Sequence, residues 1–402
     1  MALYSNEAYT GFYILVRLYF TVPMCILGII GNTLSFTILH KMQKINTTIF
    51  LLRTLAITDI LYLIAELILY PYTTIYWYTD WICDQEWAHY PMYAYPIVFA
   101  TAEGLQMITT LIVVVITVER YIGICHSLRA HVCSMRNIKV WVAVCIGLGV
   151  VYSIPRAFEV VMLETPKTAD AIERFLIDPL NLNRSGGIPS NCTSTNSSNI
   201  TNGYYVAPEF KLYLNSSYFI VYSVLGMVFR YGGPVILVCY MNARIIAAMY
   251  KVKQYGSVPA TTFPEDDRRK SMCAVQCMNN TFIKFTKMCV VVAVVFVLCM
   301  IPTSFSNIAT IIRKSYKDLQ STPKWLPYYN IVIKFMLVVN SSVNFIIYCC
   351  VKPGFRMQAS KLFCPAEKVK KSKEHSELIV SRDNTLRTVN VTTNYDYKGH
   401  YV

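Results

Sequence analysis

Seven blocks of apolar residues, each long enough to cross a lipid bilayer, constrain the fold of this sequence more than any other feature. A helix needs roughly 20 residues to cross the hydrocarbon, and its backbone polar groups must be paired within the segment, so the blocks predict helices. Only 15% of the residues are charged, which is low for a soluble chain. We therefore predict an all-α membrane protein, a seven-transmembrane helix bundle. The predicted spans are residues 12–39, 49–77, 91–125, 140–158, 218–250, 282–312 and 326–350.

The spans divide the chain into a helical domain and its flanking segments. Residues 1–11 form a short N-terminal segment, 12–352 the seven-transmembrane domain, and 159–217 a long loop inside that domain. Residues 353–364 predict a short amphipathic eighth helix, and the polar, charged residues 365–402 predict a disordered tail. The first block is too long for a cleavable signal peptide and lacks its basic leader, so we expect a signal anchor.

The distribution of basic residues predicts the orientation in the membrane. Lys and Arg crowd the loops after the first, third and fifth spans and the start of the tail, which places these on the cytoplasmic side and the N-terminus outside. The same distribution argues against nucleic-acid binding, because the net charge of +14 is not gathered on one folded face. We expect a plasma-membrane protein whose long outer loop is glycosylated. The acceptor sequons in that loop are at Asn183, Asn191, Asn196, Asn199 and Asn215.

Polar residues inside the spans form an ordered series of short motifs. Such residues are costly in lipid and tend to be functional. The series is Gly31-Asn32, Leu55 to Asp59, Glu119-Arg120-Tyr121, Pro234, Phe296 to Pro302, and Asn340 to Tyr348, followed by Pro353 to Arg356. Taken together at these depths, the motifs resemble those of rhodopsin-like G-protein-coupled receptors over about residues 12–365.

Four stretches carry a narrower resemblance. They are Asn340 to Tyr348, Asn242 after Pro234, Tyr152 to Arg156 at the end of the fourth span, and residues 210–218. They look similar to the corresponding stretches of invertebrate FMRFamide-type neuropeptide receptors. This resemblance implies a short amidated peptide as the ligand, with another peptide or a small amine as the alternative. The implied partners are the peptide, a heterotrimeric G protein, arrestin, a receptor kinase and membrane lipids.

The resemblance to rhodopsin-like receptors implies roles for individual residues. Glu119 would hold Arg120 at rest, and Arg120 would contact the G protein in the active state. The other implied switch residues are Tyr121, Phe296, Met300, Pro302, Asn344 and Tyr348. The implied polar cluster, a site for an allosteric sodium ion, consists of Asp59, Thr109, Asn340 and Asn344. Pro234 and Pro302 would kink their helices. Cys364 is the implied palmitoylation site, with Cys349 and Cys350 as alternatives.

Several positions depart from the pattern of that family. Met300 stands where a tryptophan is usual, and Phe345 stands where a proline is usual. The start of the sixth span offers no carboxylate to hold Arg120 across helices, which leaves Glu119 as its predicted partner. We therefore hypothesise a resting state that is less tightly locked than that of rhodopsin, with measurable ligand-free signalling.

The outer disulfide of the family also needs a substitute, because the usual cysteine at the start of the third span is absent. The predicted outer segments contain Cys83 and Cys192. An oxidising exterior favours their pairing. The alternative is two cysteines that are capped separately.

Charged residues in the predicted outer halves of the spans point to the ligand site. Unpaired charges there are expensive, so they should pair or face water. One interpretation is two structural ion pairs, Glu103 with Arg230 and Glu66 with Lys334. The other is that Glu66 or Glu103 receives an arginine of the peptide, because Arg–carboxylate pairing is strong when desolvated. The predicted ligand-binding residues are Glu66, Glu103, Gln106, Met107, Arg230, Thr303, Asn307 and Lys334.

Two rival functions, a transporter or channel and a membrane enzyme, lack supporting patterns in the sequence. There is no internal repeat and no matched pair of Gly/Pro-broken spans of the kind that transporters use. Metalloprotease and serine-hydrolase motifs are absent, and we predict no cofactor or metal apart from the sodium ion. Lys334 raises an opsin-like alternative, but the retinal-binding position of opsins corresponds to Val338, so we do not expect covalent retinal binding.

Overall fold

The computed structural model describes residues 7–42, 46–78, 86–126, 131–159, 161–166, 204–209, 216–257, 280–315 and 325–363. The chain forms two units, residues Met1–Lys352 and Pro353–Val402. The first unit contains the long apolar helices. The described part of the second unit is one helix, Pro353–Phe363, at the position predicted for the short eighth helix.

Helices long and apolar enough to cross a membrane make up the first unit. Six such spans are described, and a bent helix pair near the C-terminus makes a seventh when it is counted as one span. The predicted all-α, seven-span architecture is therefore confirmed. In chain order the helices are α1 (Glu7–Ile14), a π-helical turn (Leu15–Phe20), α2 (Thr21–Lys41), α3 (Thr47–Tyr78), a 3-10 helix (Glu86–Ala94), α4 (Tyr95–Cys125), α5 (Met135–Glu159), α6 (Ser216–Phe229), α7 (Gly232–Ser257), α8 (Asn280–Ser315), α9 (Leu326–Ser342), α10 (Asn344–Val351) and α11 (Pro353–Phe363).

Four spans are less regular than the uninterrupted helices that hydropathy predicts. The first span contains the π-helical turn between α1 and α2, and the third, predicted from residue 91, becomes α-helical only at Tyr95. The fifth is interrupted at Arg230 and Tyr231, between α6 and α7. The seventh bends by 47° between α9 and α10. Hydropathy does not detect these interruptions, because its window of about 19 residues averages over several helical turns.

Two short strands lie inside the predicted long loop between the fourth and fifth spans. Strand β1 (Val161–Pro166) pairs antiparallel with strand β2 (Tyr204–Glu209), so that Val161 lies opposite Glu209. The sequence analysis did not predict this pair. Strands of six residues give too short a window for a reliable period-two pattern.

The third span, α4, is the central helix of the described bundle. It packs against α3, α5, α7 and α8, and about half of its residues are buried. Glu103 lies near the start of α4 and Arg120 near its end, about 25 Å apart along the axis at 1.5 Å per residue. We call the two ends of the bundle the Glu103 end and the Arg120 end.

The interruption of the fifth span has a local cause. Pro234 has no N–H to donate to the carbonyl of Arg230, four residues earlier. The N–H groups of Arg230 and Tyr231 both bond to the carbonyl of Gly226, at 2.9 and 3.0 Å, and α7 restarts after them. Pro234 was predicted to kink its helix, but the structure places it in the first turn of α7. The carbonyl of Val228 approaches Gly233 so closely that a Cβ there would collide with it.

We expect Gly233→Ala to destabilise the protein by about 1–3 kcal/mol, the usual cost of overpacking. The added methyl group would meet backbone of the preceding helix rather than a movable side chain. Thermal unfolding of the purified protein measures the change. The matched control is Gly147→Ala, because a Cβ at Gly147 meets no atom within 4 Å. Equal unfolding midpoints for the two variants would contradict the close approach at Gly233.

Candidate functional site

A buried ion pair lies at the Arg120 end of α4. Arg120 donates hydrogen bonds to both carboxylate oxygens of Glu119, and both side chains are buried. The hydroxyl of Thr48 on α3 accepts a bond from Arg120 and lies 3.2 Å from Oε1 of Glu119. Thr47 donates to the same oxygen at 2.7 Å. Two hydroxyls thus hold the predicted Glu119–Arg120 pair against the start of α3.

The sequence analysis missed Thr47 and Thr48. They are the first two residues of α3, where hydroxyl side chains ordinarily act as helix caps. Here they bond instead to a carboxylate that is 72 and 71 residues away in the chain. No local pattern signals a contact of that length. Because bonds to an ionised group are roughly twice as strong as neutral ones, the pair is held more firmly than Glu119 alone would hold Arg120.

A cation–aromatic contact at the same end joins the sixth and seventh spans. The ammonium of Lys352, just after α10, lies 3.0 Å from the centre of the Phe285 ring on α8. Burial lowers the pKa of Lys352 to about 8. Contacts of this kind contribute about 0.5–2 kcal/mol. The contact links α8 to the seventh span where the sequence offers no carboxylate for Arg120.

The predicted switch residues of the sixth and seventh spans lie inside the bundle. Phe296 and Met300 are buried on α8, and Tyr348 is buried on α10. The sulfur of Met300 lies 3.7 Å from Nε2 of Gln106 on α4. Met300 therefore connects the sixth span to a residue that was predicted to contact the ligand.

Tyr121 and Pro302, two further predicted switch residues, each take part in one contact with another residue. The hydroxyl of Tyr121 lies 3.2 Å from Nε2 of His126, and the two rings meet edge to face. Pro302 lies inside α8, which continues through it. The hydroxyl of Tyr329 donates to the carbonyl of Pro302 at 2.7 Å, which ties the sixth span to the seventh.

A polar cluster around Asp59 lies between the two ends. Asn344 donates to Oδ2 of Asp59 at 2.7 Å, and Thr109 donates to Oδ1 at 3.4 Å. The third partner is Ser341, and Asn340, predicted for this place, makes no hydrogen bond to Asp59. The structure therefore brings Asp59, Thr109 and Asn344 together, whereas the place of Asn340 in the cluster stays a prediction. Successive helical residues point about 100° apart, so a helix presents either Asn340 or Ser341 to one partner.

A three-membered charge cluster occupies the Glu103 end. Arg230 donates to Oε2 of the buried Glu103 carboxylate, and Nζ of Lys334 lies 2.9 Å from Oε1. Arg230 also donates to Oε1 of Gln106. The predicted pair of Glu103 with Arg230 is confirmed. The predicted pair of Glu66 with Lys334 is wrong, because the lysine bonds to Glu103 and no ion pair joins it to Glu66.

Arg230 is the most deeply placed member of this cluster, with a side chain that is only 1% exposed. Its guanidinium lies 4.8 Å from the ring centre of Tyr231 and 5.7 Å from that of Tyr152. The aromatic faces and the Glu103 carboxylate together compensate the buried charge. Both oxygens of Glu103 are thereby occupied by cations of the chain itself. An arginine of a ligand would have to displace one of them, so the structure favours the interpretation of Glu103 as a structural ion-pair partner.

A stack of tyrosines forms one wall of the Glu103 end. The rings of Tyr152 and Tyr222 stack at 4.7 Å, and Tyr218 stacks on Tyr222 at 5.5 Å. Met107, predicted as a ligand contact, packs in the same group. Arg156 lies 4.6 Å above the Tyr222 ring and pairs with Glu159 at 2.6 Å. The stretch from Tyr152 to Arg156, noted from sequence for a resemblance, thus contributes to this wall.

Thr303 and Asn307 bond to their own helix. Thr303 donates to the carbonyl of Cys299 at 3.5 Å, and Asn307 donates to the carbonyl of Thr303 at 2.9 Å. Neither side chain hydrogen-bonds to the Glu103 cluster. The structure therefore does not bring these two predicted ligand residues into the charged group, although both lie on α8, the helix that carries Met300.

Glu66 and an unpredicted cation, Arg17, lie beside the cluster. Glu66 is buried on α3 and hydrogen-bonds with Tyr62. The guanidinium of Arg17, in the π-helical turn, lies 3.7 Å above the ring of Tyr70. A lone arginine inside an apolar block was the sequence signal for this residue, and it was overlooked.

Several predicted positions lie outside the described residues. These are the disulfide partners Cys83 and Cys192, the sequons at Asn183, Asn191, Asn196, Asn199 and Asn215, and the palmitoylation candidate Cys364. The alternative candidates Cys349 and Cys350 are described and form no disulfide, and Cys350 is exposed.

Comparisons with known proteins bear on the whole chain. Residues 19–365 match the family described as serpentine type 7TM GPCR chemoreceptor Srw. The FMRFamide receptor of Drosophila melanogaster is 30% identical over 161 residues, which are 40% of this chain and 29% of that receptor. The FMRFamide peptide receptor frpr-18 of Caenorhabditis elegans is 22% identical over 333 residues, 82% of this chain and 65% of that receptor. The sex peptide receptor of Drosophila melanogaster is 23% identical over 379 residues, 92% and 77% respectively.

Proposed function

We propose, because the chain belongs to the serpentine type 7TM GPCR chemoreceptor Srw family, that it is a cell-surface receptor for an extracellular peptide and activates heterotrimeric G proteins. Its relatives are receptors, and the chain is a membrane receptor rather than an enzyme. One observation carries the proposal. A path of side-chain contacts leads from the Glu103 cluster to α8, whose other end lies beside the buried Glu119–Arg120 pair.

The Glu103 end has the chemistry of a peptide-binding site. Its charged groups can recognise charged side chains and backbone dipoles, and its tyrosine stack offers flat apolar surface with polar tips. Aromatic and arginine side chains dominate the energetics of peptide and protein recognition. We place this end outside the cell and the Arg120 end in the cytoplasm, in keeping with the basic loops of the sequence.

The contacts at the Glu103 end supply a route for the signal. A ligand that shifts Arg230 acts on Gln106, because Arg230 donates to its side-chain oxygen. Gln106 in turn lies against the sulfur of Met300 on α8, at 3.7 Å. A ligand that binds more tightly to one of two arrangements of α8 would then shift the population between the resting and the active state. In the active state Arg120 would leave Glu119 and Thr48 and contact the G protein.

The proposed ligand is a short amidated peptide of the RFamide type. Two of the relatives are named FMRFamide receptors, and a third is named a sex peptide receptor. The chain spans less than a third of the length of the Drosophila FMRFamide receptor, so the choice among peptides rests on the narrower sequence resemblance. A small amine is the alternative ligand.

The Asp59 cluster is proposed to hold a sodium ion in the resting state. The carboxylate of Asp59 and the hydroxyls of Thr109 and Ser341 are oxygen donors, the ligand type that hard cations prefer. These residues come from α3, α4 and α9. An ion bound by all three helices would favour the arrangement in which they converge, and so would oppose activation.

Replacing sodium chloride by N-methylglucamine chloride at constant ionic strength is therefore expected to raise agonist potency about fivefold, a typical coupling between two sites. Asp59→Asn should abolish this sensitivity. Thr58→Val is the matched control, because the hydroxyl of Thr58 bonds within its own helix, and it should respond to sodium like wild type. Concentration–response curves in the two salts measure the effect. Identical concentration–response curves for wild type in the two salts would contradict the proposed sodium site.

The remaining proposals concern positions outside the described residues. A Cys83–Cys192 disulfide and glycans on the five sequons would face the exterior. Cys364, or alternatively one of the described residues Cys349 and Cys350, would carry a palmitoyl chain that inserts among membrane lipids. A receptor kinase would phosphorylate the hydroxyl-bearing tail, and the resulting anionic strip would bind arrestin.

The experiment that tests the function uses cells that express the full chain. Calcium and cyclic-nucleotide responses are recorded against a library of amidated peptides that includes RFamides. An active peptide is then assayed for agonist-dependent nucleotide exchange on G proteins in membranes. We expect at least one amidated peptide to be active on expressing cells and inactive on untransfected cells. Surface expression without a response to any peptide, together with ion or solute flux, would instead support a transporter or channel.

A further inference from the structure

Arg17 is a buried cation with unsatisfied hydrogen-bond donors in the part of the chain that the structure describes. Its residue is 6% exposed, yet in the described part of the chain Nε and Nη1 have no hydrogen-bond acceptor. No acidic side chain of the described residues forms an ion pair with it. Its ring contacts, to Tyr70 at 3.7 Å and to Tyr13 at 5.6 Å, compensate part of the charge. Arg17 also hydrogen-bonds with Tyr70, which leaves the donors on Nε and Nη1 unused.

The neighbours of Arg17 show which way it faces. Leu15, Tyr19 and Phe20 of the same π-helical turn are exposed, by 45%, 67% and 52%, and so form the outward face of the first span. Arg17 lies on the opposite, inward side, next to Tyr70 and Glu66 of α3. Its free donors therefore belong to the interior of the Glu103 end and not to the lipid surface.

The charges of this interior do not balance. A row of buried or half-buried ionic groups runs from the first span to the fifth, with alternating sign: Arg17, Glu66, Lys334, Glu103 and Arg230. The row has three cations and two carboxylates. Arg156 does not change this balance, since it pairs with Glu159. Arg230 and Lys334 share Glu103, so Glu66 is the one carboxylate of the row that is left for Arg17. No ion pair joins Arg17 to Glu66 within the described residues, and Nε and Nη1 of Arg17 have no acceptor there.

We propose that Arg17 is a subsite for an oxyanion, and that the oxyanion is an acidic side chain of the peptide ligand. A carboxylate of the ligand would accept a charge-assisted bond from Nε or from Nη1, which lie on different edges of the guanidinium. Its negative charge would equal the excess charge of the row. The inference rests on the proposed function as a peptide receptor. The inference extends that proposal, since it predicts that the peptide carries an aspartate or glutamate upstream of its amidated end.

The test uses pairs of peptides on cells that express the full chain. Each pair ends in the same amidated Arg-Phe sequence and differs only in Asp or Asn at one upstream position. At one position the Asp peptide is expected to be at least about tenfold more potent on wild type, the effect of one charge-assisted contact. Arg17→Gln should reduce this preference to less than about twofold. Arg17→Lys should keep part of it, and provides a charged variant in case Arg17→Gln does not reach the surface.

Arg136→Gln is the matched control, since Arg136 is exposed at the start of α5 and lies at the Arg120 end. It should keep the full preference for Asp. Active peptides without an Asp preference, or a preference that survives in Arg17→Gln, would overturn the subsite and leave the peptide receptor in place. If no amidated peptide is active, the receptor proposal fails, and the subsite fails with it. An anionic phospholipid that native mass spectrometry finds on purified wild type and not on Arg17→Gln, without an Asp preference, would assign Arg17 to a lipid phosphate instead.

Discussion

Glu103→Gln is expected to destabilise the folded receptor by about 3–5 kcal/mol, the usual cost of removing one partner from a buried ion pair. The substitution leaves two cations, Arg230 and Lys334, facing each other without a carboxylate between them. Arg230 would retain neutral partners, the side-chain oxygen of Gln106 and the rings of Tyr231 and Tyr152, but no negative charge. Thermal unfolding of purified receptor and surface abundance on cells measure the loss. The other interpretation of the sequence, in which Glu103 receives an arginine of the peptide, predicts instead that this variant reaches the surface and loses only agonist potency.

The second cation makes the difference between these two expectations. Replacing a carboxylate that is held by one arginine removes one ion pair. Replacing Glu103 removes two ion pairs and also leaves two like charges close together in a poorly solvated place. The matched control is Glu66→Gln, a buried acid on α3 that forms no ion pair within the described residues and would keep its contact with Tyr62. The double variant Glu103→Gln/Arg230→Gln should recover part of the stability lost in Glu103→Gln. Equal losses for Glu103→Gln and Glu66→Gln would contradict the shared-carboxylate arrangement.

Thr48→Val is expected to raise ligand-free nucleotide exchange about tenfold, because hydrogen bonds to charged groups contribute about 1.5–3 kcal/mol. The hydroxyl of Thr48 accepts from Arg120 and lies within bonding distance of Glu119, so its removal loosens the resting pair from both sides. Valine keeps the shape and branching of the side chain. Exchange of guanine nucleotides on purified G protein, in membranes without ligand, measures the effect.

The control for Thr48→Val is Thr54→Val on the same helix, whose hydroxyl bonds to the carbonyl of Phe50 at 3.0 Å. It should leave ligand-free exchange at the wild-type level. The comparison also bears on the hypothesis of a loosely locked resting state. If wild type signals no more than untransfected cells while Thr48→Val does signal, the two threonines supply the restraint that the sequence departures remove. If both variants behave like wild type, Thr48 does not restrain Arg120.

The course of the chain through the membrane could be predicted because hydropathy is a local property. Each span is a continuous run of side chains, and a window that lies inside the run detects it without knowledge of other spans. The motifs that suggested the family could be found for the same reason, since each is a short string such as Glu119-Arg120-Tyr121. The breaks at Arg230 and at Val343 were missed because they concern one turn of backbone rather than composition.

The partners of the functional residues could be predicted only in part. Asp59 with Asn344 and Glu103 with Arg230 were expected and are present. Lys334 was assigned to the wrong acid, because two carboxylates on neighbouring helices are equally plausible until the rotation of each helix is known. The rotation decides between adjacent residues as well, which is why Ser341 and not Asn340 bonds to Asp59.

By itself the sequence determined that this chain is a membrane-spanning helical bundle and which family it resembles, since both depend on the order of residues along one dimension. The tertiary structure alone decided that Thr47 and Thr48 hold Glu119 and that Lys334 shares Glu103 with Arg230. It also decided that Arg17 forms no ion pair within the described residues and leaves Nε and Nη1 without an acceptor there. The physical reason is the same in each case. A buried polar group is compensated by whatever side chain lies within about 3 Å of it, and that distance is set by helix rotation and packing, which join residues far apart in the chain.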